Sequence, residues 1–109
     1  KGWAQDSSIQ QPFIPAHCEQ SYHMYYLLLP TLEIRQNFIR FLKGEGVHTV
    51  FHYVPLHTSE VGKKYGYKEG DLPNTEIVSE QLVRLPMYYD LTEENLNEIA
   101  QSIKIFKNK

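Results

Sequence analysis

A chain of 109 residues with a net charge of −2 is sized for one domain built on a single modest core. Its composition, 41% hydrophobic and 22% charged, is that of an ordinary globular protein, and the lack of basic excess removes the electrostatic footprint of a nucleic-acid binder. The lone Cys18 excludes an internal disulfide framework and fits a reducing cytoplasm, and the apolar run at 24–29 is far too short to cross a bilayer. No signal peptide is visible, and a first residue Lys1 in place of Met reads as a cut chain.

Residues 1–21 carry Pro12 and Pro15 without sustained periodicity. They read as a lead-in linker with a short extended piece at Phe13 and Ile14, and the folded domain is expected over 22–107. Residues 22–29 are apolar or aromatic on both faces, which predicts a strand covered on both sides and ended by Pro30. Ile34, Phe38, Phe41 and Leu42 form an apolar stripe, predicting a helix over 31–43 capped by Thr31 and stopped by Gly44 or Gly46. The β-branched and aromatic run at 47–54 predicts a second strand, closed by Pro55. Residues 58–72, with Gly62, Gly66 and Gly70, read as a long mobile loop with room for one helical turn, and loops of that length are often functional. Pro73 suits a helix start, and Ile77, Val78 and Leu82 have helical spacing. A short strand follows at 83–87, closed by Tyr88, Tyr89 and Asp90.

The last helix is predicted from Thr92 as N-cap, Glu93 and Glu94 at its positive end, and Lys104 and Lys107 at its negative end. Its buried stripe is Leu96, Ile99, Ala100, Ile103 and Phe106, with Leu91 stapling against Leu96. The order strand, helix, strand, long loop, helix, strand, helix predicts an α+β fold: a small, mostly antiparallel sheet covered by helices.

His48, His52 and His57 fall within ten residues. On one strand His48 and His52 would stand about 13 Å apart. A zinc ion needs nitrogens at roughly 2 Å, so these two cannot share one, and Cys18 has no partner cysteine. No metal site is expected; the histidines are structural, or His52 or His57 serves a pocket. His17 and Cys18 are neighbours that point to opposite sides of an extended chain. The glycines at 62, 66 and 70 do not form a phosphate loop, Lys63 and Lys64 read as solvated, and no complete active site is present. Tyr65, Tyr67, Tyr88 and Tyr89 lie in predicted turns, where ring and hydroxyl together suit an interface or a sugar-binding surface.

Three stretches carry a family resemblance: 22–27, 35–39 and above all 46–57 with its Phe-His-Tyr-Val-Pro-Leu-His string. A fourth runs over 80–88, followed by an Asp-Leu-Thr start to the final helix. Together, over roughly 12–107, they resemble the C-terminal domain of the DegT/DnrJ/EryC1/StrS sugar-nucleotide aminotransferases, and within that group the branch making dTDP-4-amino-4,6-dideoxygalactose for surface polysaccharides. The resemblance implies the small domain of a fold type I enzyme, with 1–21 leading in from a large N-terminal domain. That domain would carry the Schiff-base lysine for pyridoxal 5'-phosphate, so this chain should hold neither the cofactor nor a catalytic residue and should be inactive alone. The implied substrate-side residues are Tyr53, His57 and, after them, His52. The implied partners are a nucleotide-sugar substrate, glutamate as amino donor, the large domain and a second copy of the full-length protein, in the cytoplasm without nucleic acid or membrane. Implied chemistry is amino transfer to the C4 keto carbon of a dTDP-4-keto-6-deoxyhexose. The competing readings are a relative acting on another sugar nucleotide, a free-standing α+β ligand-binding module, and a non-catalytic sugar-sensing regulator of the same fold.

Overall fold

The computed structural model describes residues 8–109. At its centre are three short strands, β1 (Tyr26–Leu28), β2 (Val50–Phe51) and β3 (Leu82–Arg84), in the order β1-β3-β2. Both outer strands pair antiparallel with β3, so that Leu27 and Phe51 each stand opposite Val83. β1 and β2 therefore run parallel, joined through helix α1 (Leu32–Gly44), with β3 inserted between them. The predicted α+β class, a small antiparallel sheet with helices on it, is the one observed.

The helices α1 and α4 (Glu93–Lys107) bury Phe38, Leu42, Ile99 and Ile103 against Leu27, Leu29 and Val83 of the sheet. Phe106 meets Phe38 edge-on at 5.1 Å between centroids and Phe41 at 5.6 Å. Each fully buried side chain of this size contributes about 1.5–3 kcal/mol. Thr31 caps α1 by accepting the Ile34 N–H at 3.2 Å. Of the two candidate stops, Gly46 ends the helix: at φ 81° it lets Val47 N–H donate to the Leu42 carbonyl at 2.8 Å and its own N–H to Lys43 at 3.2 Å.

The strands are shorter than the residue pattern predicts, and the reason is their shared partner. β3 is hemmed between a helix that runs straight into Leu82 and Pro86, which has no N–H to donate. A β-branched run cannot extend a ladder past the end of its partner, so 47–54 contributes only Val50 and Phe51, and 22–29 only Tyr26–Leu28. Tyr22, at φ 52°, also breaks the extended chain. The sheet edge is touched at Gln10, which exchanges backbone bonds of 3.0 and 2.9 Å with Leu28, while Phe13 of the expected extended piece is exposed. Ile9 joins the core. The first seven residues of the expected linker lie outside the described residues.

Two stripes are corrected. In α1 the buried set is Arg35, Phe38 and Leu42, and Ile34 is left at the surface. The helix is turned so that Arg35 can donate from Nη1 to the Ser79 carbonyl at 2.8 Å and lie over the Phe51 ring. In α4, Ile99, Ile103 and Phe106 pack inward, whereas Leu96 is exposed and shares with Leu91 the wall of an open apolar cleft of about 430 Å³.

The expected loop at 58–72 is more ordered than its glycines suggest. It follows a 3-10 turn (Leu56–Thr58) and holds a five-residue helix α2 (Glu60–Lys64), capped by Ser59 on the Gly62 N–H at 3.1 Å. Helix α3 (Pro73–Gln81) starts at its proline, as the missing N–H allows, and runs into β3. Among the described residues no helix is long and apolar enough to cross a membrane.

Candidate functional site

After β2 the chain cannot re-enter the sheet, and Pro55 sends it outward over α3. Between the two lies a cavity of about 510 Å³, with His52, Tyr53, Val54, Pro55 and Leu56 on one side and Asn74, Thr75, Val78 and Ser79 of α3 on the other. The volume is within the range of small-molecule sites. Tyr53 is 71% exposed and its ring meets that of His52 at 4.5 Å and 60°. His52 Nδ1 is buried without a hydrogen-bond partner in the protein. A buried polar atom left unpaired is costly, so a ligand group or a water is the natural complement to it.

His57 is placed differently. It is 5% exposed, and its Nε2 stands 2.7 Å from Glu76 Oε1. A carboxylate oxygen only accepts, so Nε2 carries the proton and donates. The same oxygen accepts the Gly70 N–H at 2.7 Å. The bond from His57, then that from Gly70, holds the Glu76 carboxyl below its ordinary pKa of 4.5, against a smaller opposing effect of burial. The structure thus brings His52 and Tyr53 to one cavity and sets His57 in a separate cleft with Tyr65 and Tyr67, tied to the first turn of α3.

His48 lies apart, in a cleft with Pro86, Tyr88, Asn95 and Glu98. Among the described residues no group of three or more His, Cys, Asp or Glu side chains could hold a metal ion. Tyr65 and Tyr67 border a further cleft beside Val61, Gly62 and Leu72, while Tyr88 and Tyr89 are exposed elsewhere. Cys18 is exposed and forms no disulfide among the described residues.

Three further residues position this site: Glu76, Gly62 and Arg35. Glu76 has the look of an ordinary first-turn acid. Gly62 matters through close approach: a Cβ there would meet the Leu56 carbonyl oxygen and stand 2.7 Å from that of His57, so its bare Cα is what lets α2 lie on the 3-10 turn. Arg35 caps the far end of α3 through the Ser79 carbonyl. Burial pulls its pKa below the usual arginine value, with Glu80 acting the other way, yet the guanidinium stays charged at neutral pH. The sequence signal that could have found Arg35 is its position three residues before Phe38 and seven before Leu42, on their face.

The cavity's polar side chains are one imidazole, one phenol, an amide and two hydroxyls, of which Ser79 already donates to the Glu76 carbonyl at 2.8 Å, with no amine to form an imine with an aldehyde and no cation to hold a phosphate. These residues do not fit pyridoxal phosphate. They fit an uncharged polyhydroxylated ligand resting on aromatic and apolar surface.

Residues 4–104 match the sequence profile of the DegT/DnrJ/EryC1/StrS aminotransferase family. The uncharacterized protein MJ1066 of Methanocaldococcus jannaschii is 34% identical over 97 residues, covering 85% of this chain and 25% of its own length. The aminotransferase TlmJ of Streptoalloteichus hindustanus superposes with a TM-score of 0.83 at 27% identity, over 98% of this chain and 28% of its own. Spr1654 of Streptococcus pneumoniae, provisionally assigned as a sugar aminotransferase and solved in its PLP-form, shares the fold with a TM-score of 0.85 at 24% identity, over 98% of this chain and 28% of its own. The chain spans about a quarter of the length of these relatives.

Proposed function

We propose that this chain, which belongs to the DegT/DnrJ/EryC1/StrS aminotransferase family, is the small C-terminal domain of a pyridoxal phosphate-dependent sugar-nucleotide aminotransferase and forms the substrate-side wall of its site. The observation that carries the reading is the cavity between 52–56 and α3, lined mainly by apolar surface with a few uncharged polar groups and open on the Tyr53 side. In this role the Tyr53 and His52 rings offer a stacking surface and hydrogen bonds to sugar hydroxyls, and Asn74, Thr75 and Ser79 supply further donors and acceptors. Val54, Pro55 and Leu56 give apolar surface suited to the methyl group of a 6-deoxyhexose. His57 serves the wall indirectly, by fixing the turn that follows it through its bond to Glu76.

The cofactor and the lysine that binds it belong to a large domain outside this chain; when bound, the cofactor supplies the electron sink for amino transfer. The contribution of this domain is to orient the sugar and exclude water. The reaction is amino transfer from glutamate to the C4 keto carbon of a dTDP-4-keto-6-deoxyhexose, carried out by a full-length homodimer in the cytoplasm and feeding a surface polysaccharide such as an O-antigen or enterobacterial common antigen. This chain alone does not transaminate. Support comes from the Phe51 to His57 string, from TlmJ as an aminotransferase of the same fold, and from the PLP-form of Spr1654.

The test is to incubate the full-length protein with pyridoxal phosphate, glutamate and a panel of dTDP- and UDP-linked 4-keto sugars, and to follow the C4 amine by NMR. A product from the dTDP-4-keto-6-deoxyhexose supports the reading. A product only from a UDP-linked ketopentose would move the substrate assignment, and ligand binding without turnover would favour the binding-module or sugar-sensing alternative.

A further inference from the structure

We infer that Glu76 is a positioning residue that sets the width of the substrate cavity, an inference that rests on the substrate-wall reading above. One oxygen of its carboxylate accepts from His57 Nε2 at 2.7 Å and from the Gly70 N–H at 2.7 Å. It thereby gathers three segments: the 3-10 turn, the 66–71 stretch and the first turn of α3. The 52–56 wall precedes His57 directly, and the opposite wall is α3 itself. The Glu76–His57 bond therefore spans the two walls.

Helix α3 has little else to hold that end in place. It buries no residue of its own. Its C-terminal end is fixed by Arg35 on the Ser79 carbonyl at 2.8 Å and by Gln81 on the Pro30 carbonyl at 2.9 Å. At its N-terminal end the tether is Glu76. With that tether cut, the helix keeps its rear anchors and its front is free to move relative to Tyr53. On the other side, the close seat of Gly62 on the Leu56 and His57 carbonyls keeps the turn from following.

Glu76 meets the walls and leaves the ligand to them, so its loss should weaken substrate binding in the ground and transition states alike. That predicts a rise in KM for the keto sugar nucleotide of about tenfold with kcat changed less than about twofold. The experiment compares Glu76→Ala with Glu76→Gln in the full-length, cofactor-loaded protein. A glutamine oxygen still accepts from His57 and Gly70, so Glu76→Gln should recover most of the lost KM. An unchanged KM in Glu76→Ala, or an equal loss in both variants, overturns the proposal.

Hydrogen exchange of the Gly70 amide gives a second readout that is independent of turnover. It should be about tenfold faster in Glu76→Ala than in wild type; unchanged exchange overturns the latch. If Glu76→Ala does not fold, Glu76→Gln is read against His57→Phe, which fills the same space without a donor and should raise KM as alanine at 76 would; an unaltered KM there also overturns it. If the wild-type protein turns over no keto sugar nucleotide, the functional reading and the positioning role fall together, while Gly70 exchange still decides whether the latch exists.

Discussion

Gly62→Ala adds one methyl group where two backbone carbonyls leave no room. The new Cβ would meet the Leu56 carbonyl oxygen and stand 2.7 Å from the His57 carbonyl oxygen, and neither belongs to a flexible side chain that could swing aside. Either α2 lifts off the 3-10 turn or the turn shifts toward Glu76. Overpacking of this kind costs about 1–3 kcal/mol. At roughly 1.4 kcal/mol per factor of ten, docked α2 should open between about fivefold and a hundredfold more often. The assay is amide hydrogen exchange. The reporters are Lys63 N–H, bonded to the Ser59 carbonyl at 2.9 Å, and Tyr67 N–H, bonded to the Gly62 carbonyl at 3.2 Å. The controls are Leu29 and Leu85, whose amides bond to Gln81 and Tyr25 at 3.0 Å each across the β1–β3 ladder. Only the reporters should speed up, because α2 contributes no buried residue to the core. Unchanged reporter exchange in Gly62→Ala would refute the close approach and with it the account of how the turn is held.

Phe38→Ala removes a fully buried ring that meets Phe106 edge-on, and should cost about 3–5 kcal/mol in urea unfolding; a loss under about 1 kcal/mol would contradict the assigned core. Thr92→Ala deletes the hydroxyl that accepts the Asn95 N–H at 3.2 Å and half of a capping box, and should cost about 1 kcal/mol by the same measurement. Glu76 has a folded-state pKa below its ordinary 4.5, so the stability it contributes is present above that value and lost as pH falls through the lower folded value. The urea midpoint of the wild type should therefore fall more steeply on acidification in that window than that of Glu76→Gln, and parallel curves would contradict the linkage.

The sequence carried the fold further than it carried the site. Caps were legible because they are local chemistry: Thr31, Thr92 and Pro73 mark helix starts that the structure keeps, and Gly46 supplies the left-handed turn that stops α1. Strand lengths were not legible, since each outer strand is limited by the three residues of β3, a partner distant in sequence. The same distance hid the supports of the cavity. His57 and Glu76 are 19 residues apart, and Arg35 and Ser79 are 44 apart. Nothing in local spacing distinguishes Glu76 from any acid in a first helical turn. Tyr53 and His52 could be singled out from their string, but their placement in one cavity, and that of His57 outside it, is a tertiary fact.

The central claim is that 52–56 and α3 form a wall against which the sugar nucleotide rests. The most direct measurement is a crystal structure of the full-length protein with a dTDP-linked hexose bound. The expected result is sugar atoms in van der Waals contact with the Tyr53 ring and a ligand or water hydrogen bond at His52 Nδ1. A sugar bound with the Tyr53 face in open solvent and the cavity filled by the protein's own large domain would contradict it.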